Sequence, residues 1–134
     1  MSGNFTVING GKNGISAPAV PDTDERLDLN RYLVRHPAAT FFVRVSGDSM
    51  TGAGINSGDI LIVDRAVSHQ SGQIIIAVLN DESFVKRLRV AEGQTWLDSE
   101  NPAYQSIGIE PDDDFEVFGV VTFTIHALGS NEDR

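Results

Sequence analysis

Hydrophobic positions follow two regimes along the chain. Residues 1–26 show no repeating pattern: Gly3, Gly10, Gly11, Gly14, Pro18 and Pro21 interrupt a small apolar patch at Phe5, Val7 and Ile8. This reads as a flexible arm, part of which can dock as a strand. Asp22, Asp24 and Glu25 then precede Leu27, Leu29, Tyr32 and Leu33. That spacing predicts a short helix ended by Pro37, with acidic residues at its favourable end. From Thr40 onward the pattern changes to β-branched and aromatic runs separated by turn residues, which predicts strands at 40–45, 59–63, 73–79, 83–90, 95–97 and 117–127. The turn Leu79-Asn80-Asp81-Glu82 joins two of them as a hairpin, and Gly119 marks a bulge or bend in the last. The expected fold is mostly β: a single compact domain of twisted antiparallel sheets over residues 27–134, with one short helix and the arm 1–26.

Composition narrows the function classes. With 40% hydrophobic and 22% charged residues among 134, the chain can bury one core. Nineteen acidic against ten basic residues give a net charge of −9. Such a chain has little cation to exchange for the counterions of a phosphate backbone, so direct DNA binding is not expected. Three of the basic residues, Lys86, Arg87 and Arg89, fall within four positions, a candidate local basic strip; Arg87 and Arg89 serve either a partner or a solvated strand face. There is no cysteine, which excludes disulfides and thiolate metal sites. His36, His69 and His126 lack ligand spacing, so no metal or other cofactor is expected. No apolar run reaches the roughly 18 residues of a membrane span, and no secretory signal pattern opens the chain. A soluble cytoplasmic protein is the expectation.

Two places depart from the plain β pattern. At Val45-Ser46-Gly47-Asp48-Ser49-Met50 a strand runs into a small-residue turn that ends on a serine. Such a turn can hold a hydroxyl in a fixed direction while neighbouring backbone N–H groups converge on one point, as an oxyanion hole requires. By itself the segment is also an ordinary turn. The second place is Lys86. Strand alternation puts Phe84, Lys86, Leu88 and Val90 on one face and Val85, Arg87 and Arg89 on the other. A lysine on the apolar face loses hydration and its pKa falls, and a neutral amine can accept a serine proton. The alternative is a lysine reaching from the sheet edge to water.

Taken together, Ser46-Gly47-Asp48-Ser49-Met50, Gly54-Ile55, Gly58-Asp59-Ile60-Leu61-Ile62-Val63-Asp64 and Phe84-Val85-Lys86-Arg87-Leu88 resemble the LexA/UmuD family of serine–lysine autopeptidases. The resemblance covers about residues 14–128. It is closest to the UmuD branch, through Leu27-Asp28-Leu29-Asn30, His36-Pro37 and Asp114-Phe115-Glu116-Val117-Phe118-Gly119-Val120-Val121. It implies Ser49 as nucleophile and Lys86, 37 residues later, as general base, with the backbone N–H groups of Asp48 and Ser49 as oxyanion hole. Only 48 residues precede Ser49, which leaves no room for the helix-turn-helix domain of LexA and phage repressors. The membrane anchor of the serine–lysine signal peptidases is also missing.

The resemblance further implies self-cleavage in the arm. Counting back from Leu27-Asp28-Leu29-Asn30 puts the cut at Asn13-Gly14, where the family has Cys-Gly or Ala-Gly; Gly10-Gly11 is a second candidate. It implies a role in the SOS response, a RecA nucleoprotein filament as activator of cleavage, and a processed homodimer that serves a UmuC-like Y-family polymerase in translesion synthesis. The final apolar strand serves either that dimer or the core. Two alternatives remain: a non-cleaving interaction module with a vestigial dyad, since Asn13 departs from the family's small residue, and a truncated phage-repressor-type peptidase.

Overall fold

The computed structural model describes residues 26–129. The expected arm, its two candidate cut bonds and the acidic residues Asp22, Asp24 and Glu25 lie outside the described residues, except that Arg26 is included. The described residues divide after Tyr32 into two parts. Helix α1 (Leu29–Leu33) starts at Asp28, whose carboxylate accepts hydrogen bonds from the backbone N–H groups of Asn30 (3.1 Å) and Arg31 (3.5 Å). Asp28 is thus the cap that satisfies the first free N–H groups of the helix.

The second unit is one antiparallel sheet of seven strands: β1 (Thr40–Arg44), β2 (Ile60–Asp64), β3 (Ile74–Leu79), β4 (Glu82–Ala91), β5 (Gln94–Asp98), β6 (Ile107–Gly108) and β7 (Phe115–Ile125). Their order across the sheet is β1-β2-β7-β3-β4-β5-β6. The expected strands are therefore present, all in one sheet, and β6 is an addition that the sequence pattern did not reveal. Two tight turns set the register from β3 to β5. Asn80 (φ 51°) and Asp81 (φ 70°) close β3 onto β4, and Glu92 (φ 52°) and Gly93 (φ 78°) close β4 onto β5. Both pairs have the two positive φ values that match the right-handed twist of a hairpin.

β3 is central, and it is buried on both faces because Ile-Ile-Ile-Ala-Val-Leu offers no polar alternation. One face packs Val45, Met50, Ile55, Leu61, Val63 and Ile76; the other packs Ile75, Ala77, Leu79, Leu88, Leu97 and Val120. The bulge expected at Gly119 is present. Ile76 faces Gly119 while Ala77 faces Val117, which leaves Phe118 as the extra residue. A Cβ at position 119 would stand 2.7 Å from Val63 Cγ1, so the close approach of β7 to β2 requires glycine there.

Two buried carboxylates fix the ends of β2. Asp59 (2% exposed) accepts hydrogen bonds from Asn56 N–H and Thr124 Oγ1 and pairs with His126; Asp64 (4% exposed) accepts one from Ala66 N–H and pairs with His36. Burial alone would raise both pKa values, but these hydrogen bonds and the histidines outweigh it and hold both carboxyls below the ordinary value. A carboxyl with a lowered folded pKa contributes stability that is present above its unfolded pKa, about 3.9, and is lost as pH falls through the folded value. Each unit of lowering is worth about 1.4 kcal/mol. The melting temperature is therefore expected to drop below about pH 4, and Asp59→Asn with Asp64→Asn is expected to flatten that drop. An unchanged acid limb in the double variant would remove these two groups as its cause.

Candidate active site

The run into Ser49 is built from backbone pairing. Val45 N–H donates to Asp59 O and Gly58 N–H to Val45 O, both at 2.9 Å, so the end of β1 is tied to the start of β2 beside the Asp59–His126 pair. Gly47 then takes φ +98°, a left-handed conformation that side chains resist. This reverses the chain and leads through Asp48 to Ser49. Met50, 2% exposed, sinks into the core, and a short 3₁₀ turn at Thr51–Ala53 follows. Buried Met50 anchors the turn, while half-buried Ser49 stays at its surface. Among the described residues none accepts a hydrogen bond from the backbone N–H of Asp48 or Ser49.

Lys86 lies in β4 opposite Ile75 and is 5% exposed. Strand alternation sets its face, as expected, together with buried Leu88 and half-buried Phe84. Val90 shares that alternation but is 49% exposed, because β4 has by then run past its neighbour β3. Burial of the Lys86 ammonium pulls its pKa below the ordinary 10.5. Its Nζ lies 5.8 Å from the Phe84 ring centroid and 5.2 Å from that of Tyr104.

Ser49 and Lys86 line one open cleft of about 280 Å³, together with Val43, Ser46, Ile76 and Phe84. Val43, Ile76 and Phe84 give the cleft an apolar part, and Ser46 and Gly47 line it beside Ser49. The amine's hydrogen bond goes to Ser99 Oγ, at 2.6 Å.

Ser99 belongs to a loop that sequence reasoning missed. Residues 99–104 clamp the serine turn at four points. Glu100 N–H donates to Ser49 O (2.9 Å), Gly52 N–H to Glu100 O (2.7 Å), Asn101 Nδ2 to Asp48 O (2.8 Å), and Tyr104 Oη to Asp48 Oδ1 (2.5 Å). The Asp48 carboxylate holds the Tyr104 phenol above its ordinary pKa. On the β4 side, Glu100 also pairs with Arg87 (3.0 Å). One loop therefore holds the serine turn and the lysine strand at a fixed separation. A signal for it exists in the sequence: the Glu92-Gly93 hairpin pairs Arg87 with Asp98, and continuing that register by one residue puts Ser99 opposite Lys86.

The remaining candidates are placed apart from this cleft. Arg89 pairs with Asp98 on β5 and stacks over Trp96, which accounts for it within the strand face. His36 and His126 serve the Asp64 and Asp59 pairs. Asn13 and Gly14 lie outside the described residues. Among the described residues no group of side chains has the composition of a metal site, and no helix is long and apolar enough to cross a membrane.

Comparison with known proteins agrees with the motifs. A family model for Peptidase S24-like proteins matches residues 7–122. Protein SamA of Salmonella typhimurium is 44% identical over 119 residues, covering 89% of this chain and 82% of SamA. Protein ImpA of Escherichia coli is 41% identical over 119 residues, covering 84% and 77%. The LexA repressor of Oleidesulfovibrio alaskensis is 42% identical over 81 residues, covering 60% of this chain and 39% of the repressor. The match spans the serine turn, the lysine strand and most of β7, and on it the chain belongs to the Peptidase S24-like family.

Proposed function

We propose that this chain is a self-cleaving serine endopeptidase in which Lys86 activates Ser49. The observation that carries the reading is a desolvated lysine and a turn-held serine lining the same cleft. The neutral Lys86 amine takes the Ser49 Oγ proton, and Oγ attacks a peptide carbonyl carbon. The developing oxyanion is held by the Asp48 and Ser49 N–H groups, which have no other acceptor among the described residues. Lys86 then passes its proton to the leaving amine. Water adds to the acyl-enzyme and restores Ser49. The substrate is the chain's own N-terminal arm, at Asn13-Gly14 or Gly10-Gly11, where tethering supplies a high effective concentration.

In this reading the family resemblance supplies the context. Cleavage is stimulated by a RecA filament during the SOS response, and the shortened homodimer serves a UmuC-like Y-family polymerase. A second reading, a non-cleaving interaction module, is favoured by one observation: among the described residues the hydrogen bond of the Lys86 amine goes to Ser99 and not to Ser49.

Intact-mass measurement of the purified chain over time separates the two. A lysine with a lowered pKa gains its neutral form as pH rises through that pKa, so cutting is expected to accelerate from pH 7 to 10 without any partner. A product beginning at Gly14 fits the first bond and one beginning at Gly11 the second. An unchanged mass at every pH, with and without activator, rejects the enzyme in favour of the module.

A further inference from the structure

The lysine of the proposed dyad has a second hydroxyl beside it. Ser99 Oγ lies 2.6 Å from Lys86 Nζ, yet Ser49 lines the cleft and Ser99 does not. A peptide lying in the cleft therefore meets Ser49, and Ser99 is left to act on the lysine. Its place is fixed from both sides. Asp98 before it is held in register opposite Arg87, and Glu100 after it exchanges backbone hydrogen bonds with Ser49 and Gly52.

We propose that Ser99 is a positioning residue: its oxygen accepts one N–H of Lys86 and so turns the amine's free lone pair toward Ser49. This rests on Lys86 being the general base, as proposed above. A lysine side chain has several freely rotating bonds, and an amine that rotates freely presents its lone pair to Ser49 only part of the time. The aromatic rings of Phe84 and Tyr104 confine Nζ but do not choose its rotation about the last C–N bond. An acceptor in a fixed direction does.

The charged and titratable groups around Lys86 are few. Tyr104 faces it from the loop after β5, with Asp48 behind the phenol; Arg44 lines the same cleft from β1; Arg87 and Glu100 form a pair on the neighbouring positions. None of them accepts a hydrogen bond from Nζ, so Ser99 is the acceptor the ammonium keeps.

The direction of a pH shift separates positioning from mere loop support. An acceptor on the ammonium favours the charged form. Ser99→Ala is therefore expected to lower the plateau rate of self-cleavage about tenfold and to move the midpoint of its rise with pH downward. Ser99→Thr, which keeps the hydroxyl, is expected to restore both. If Ser99 only braced the loop, its loss would admit water to Lys86 and move the midpoint upward. The chain contains two lysines, Lys12 and Lys86, so lysine-labelled NMR in the uncut Ser49→Ala background reads the Lys86 titration directly. There too the midpoint is expected to fall on Ser99→Ala. A plateau and midpoint equal to wild type, an upward shift, or failure of threonine to restore them overturns the proposal. Cutting that needs Lys86 but ignores Ser99 overturns this proposal alone. Cutting that persists at the wild-type rate in Lys86→Ala overturns the dyad and this proposal with it.

Discussion

Replacing either Ser49 or Lys86 by alanine is expected to lower the rate of self-cleavage at least about a thousandfold, while the fold is retained. Members of one nucleophile–base unit fail together, so each single variant approaches the rate of the double variant. Lys86→Arg is expected to fail as well, because a guanidinium stays charged at every usable pH. Stability gives the control. Ser49 is half-buried on a surface turn, and Lys86→Ala removes a desolvated charge, so neither change is expected to lower the melting temperature by more than a few degrees. The check is intact mass against time at alkaline pH, with thermal melts alongside. A Lys86→Ala chain that is cut normally would assign proton removal to another group.

The second large effect is expected at a residue with no chemistry of its own. Gly52 lies in the 3₁₀ turn after Ser49 and has no positive φ, so on local conformation alone alanine would be tolerated or favoured. A Cβ there, however, would stand 2.5 Å from Glu100 O and 3.3 Å from Glu100 C. Both atoms are backbone, so the loop must move. It is the same loop that bonds Ser49 O through Glu100 N–H and Lys86 through Ser99. A displacement of about 1 Å between reacting groups can cost about a hundredfold in rate. Gly52→Ala is therefore expected to slow self-cleavage about a hundredfold and to lower the melting temperature. A variant that melts higher and cuts normally would mean that the loop does not set the separation of serine and lysine.

The parts of the molecule that were legible in the sequence are those governed by short-range rules. Alternation placed Lys86 on the face of Leu88, and the chain did bury it there. The Asn80-Asp81 turn announced the hairpin between β3 and β4, and Gly119 announced the bulge in β7. The family was legible because its two motifs bracket a fixed number of residues. Other features depend on contacts across the sheet. Only the extended β4–β5 register marks Ser99, and nothing local marks Glu100 or Tyr104; their roles come from facing Lys86, Arg87 and Asp48 across distances of 13 to 56 residues in the chain. Nor does composition distinguish two strand arginines from partner-facing cations. Arg87 and Arg89 proved to hold Glu100 and Asp98. β6 has only two residues and no alternation to read. Asp28 caps α1 from within the stretch whose spacing predicts helix, because the positions of Leu27, Leu29, Tyr32 and Leu33 do not show where the first turn begins.

In the proposed dyad an uncharged amine at position 86 makes the hydroxyl at 49 nucleophilic, and covalent labelling reads this without any knowledge of the cut bond. A fluorophosphonate probe, followed by peptide mass spectrometry across pH, reports the reactivity of each serine. Label is expected on Ser49, rising with pH along the Lys86 titration and disappearing in Lys86→Ala, with Ser99 unlabelled. Label on Ser49 that is independent of pH and survives loss of Lys86, or label on Ser99 in its place, would contradict the dyad.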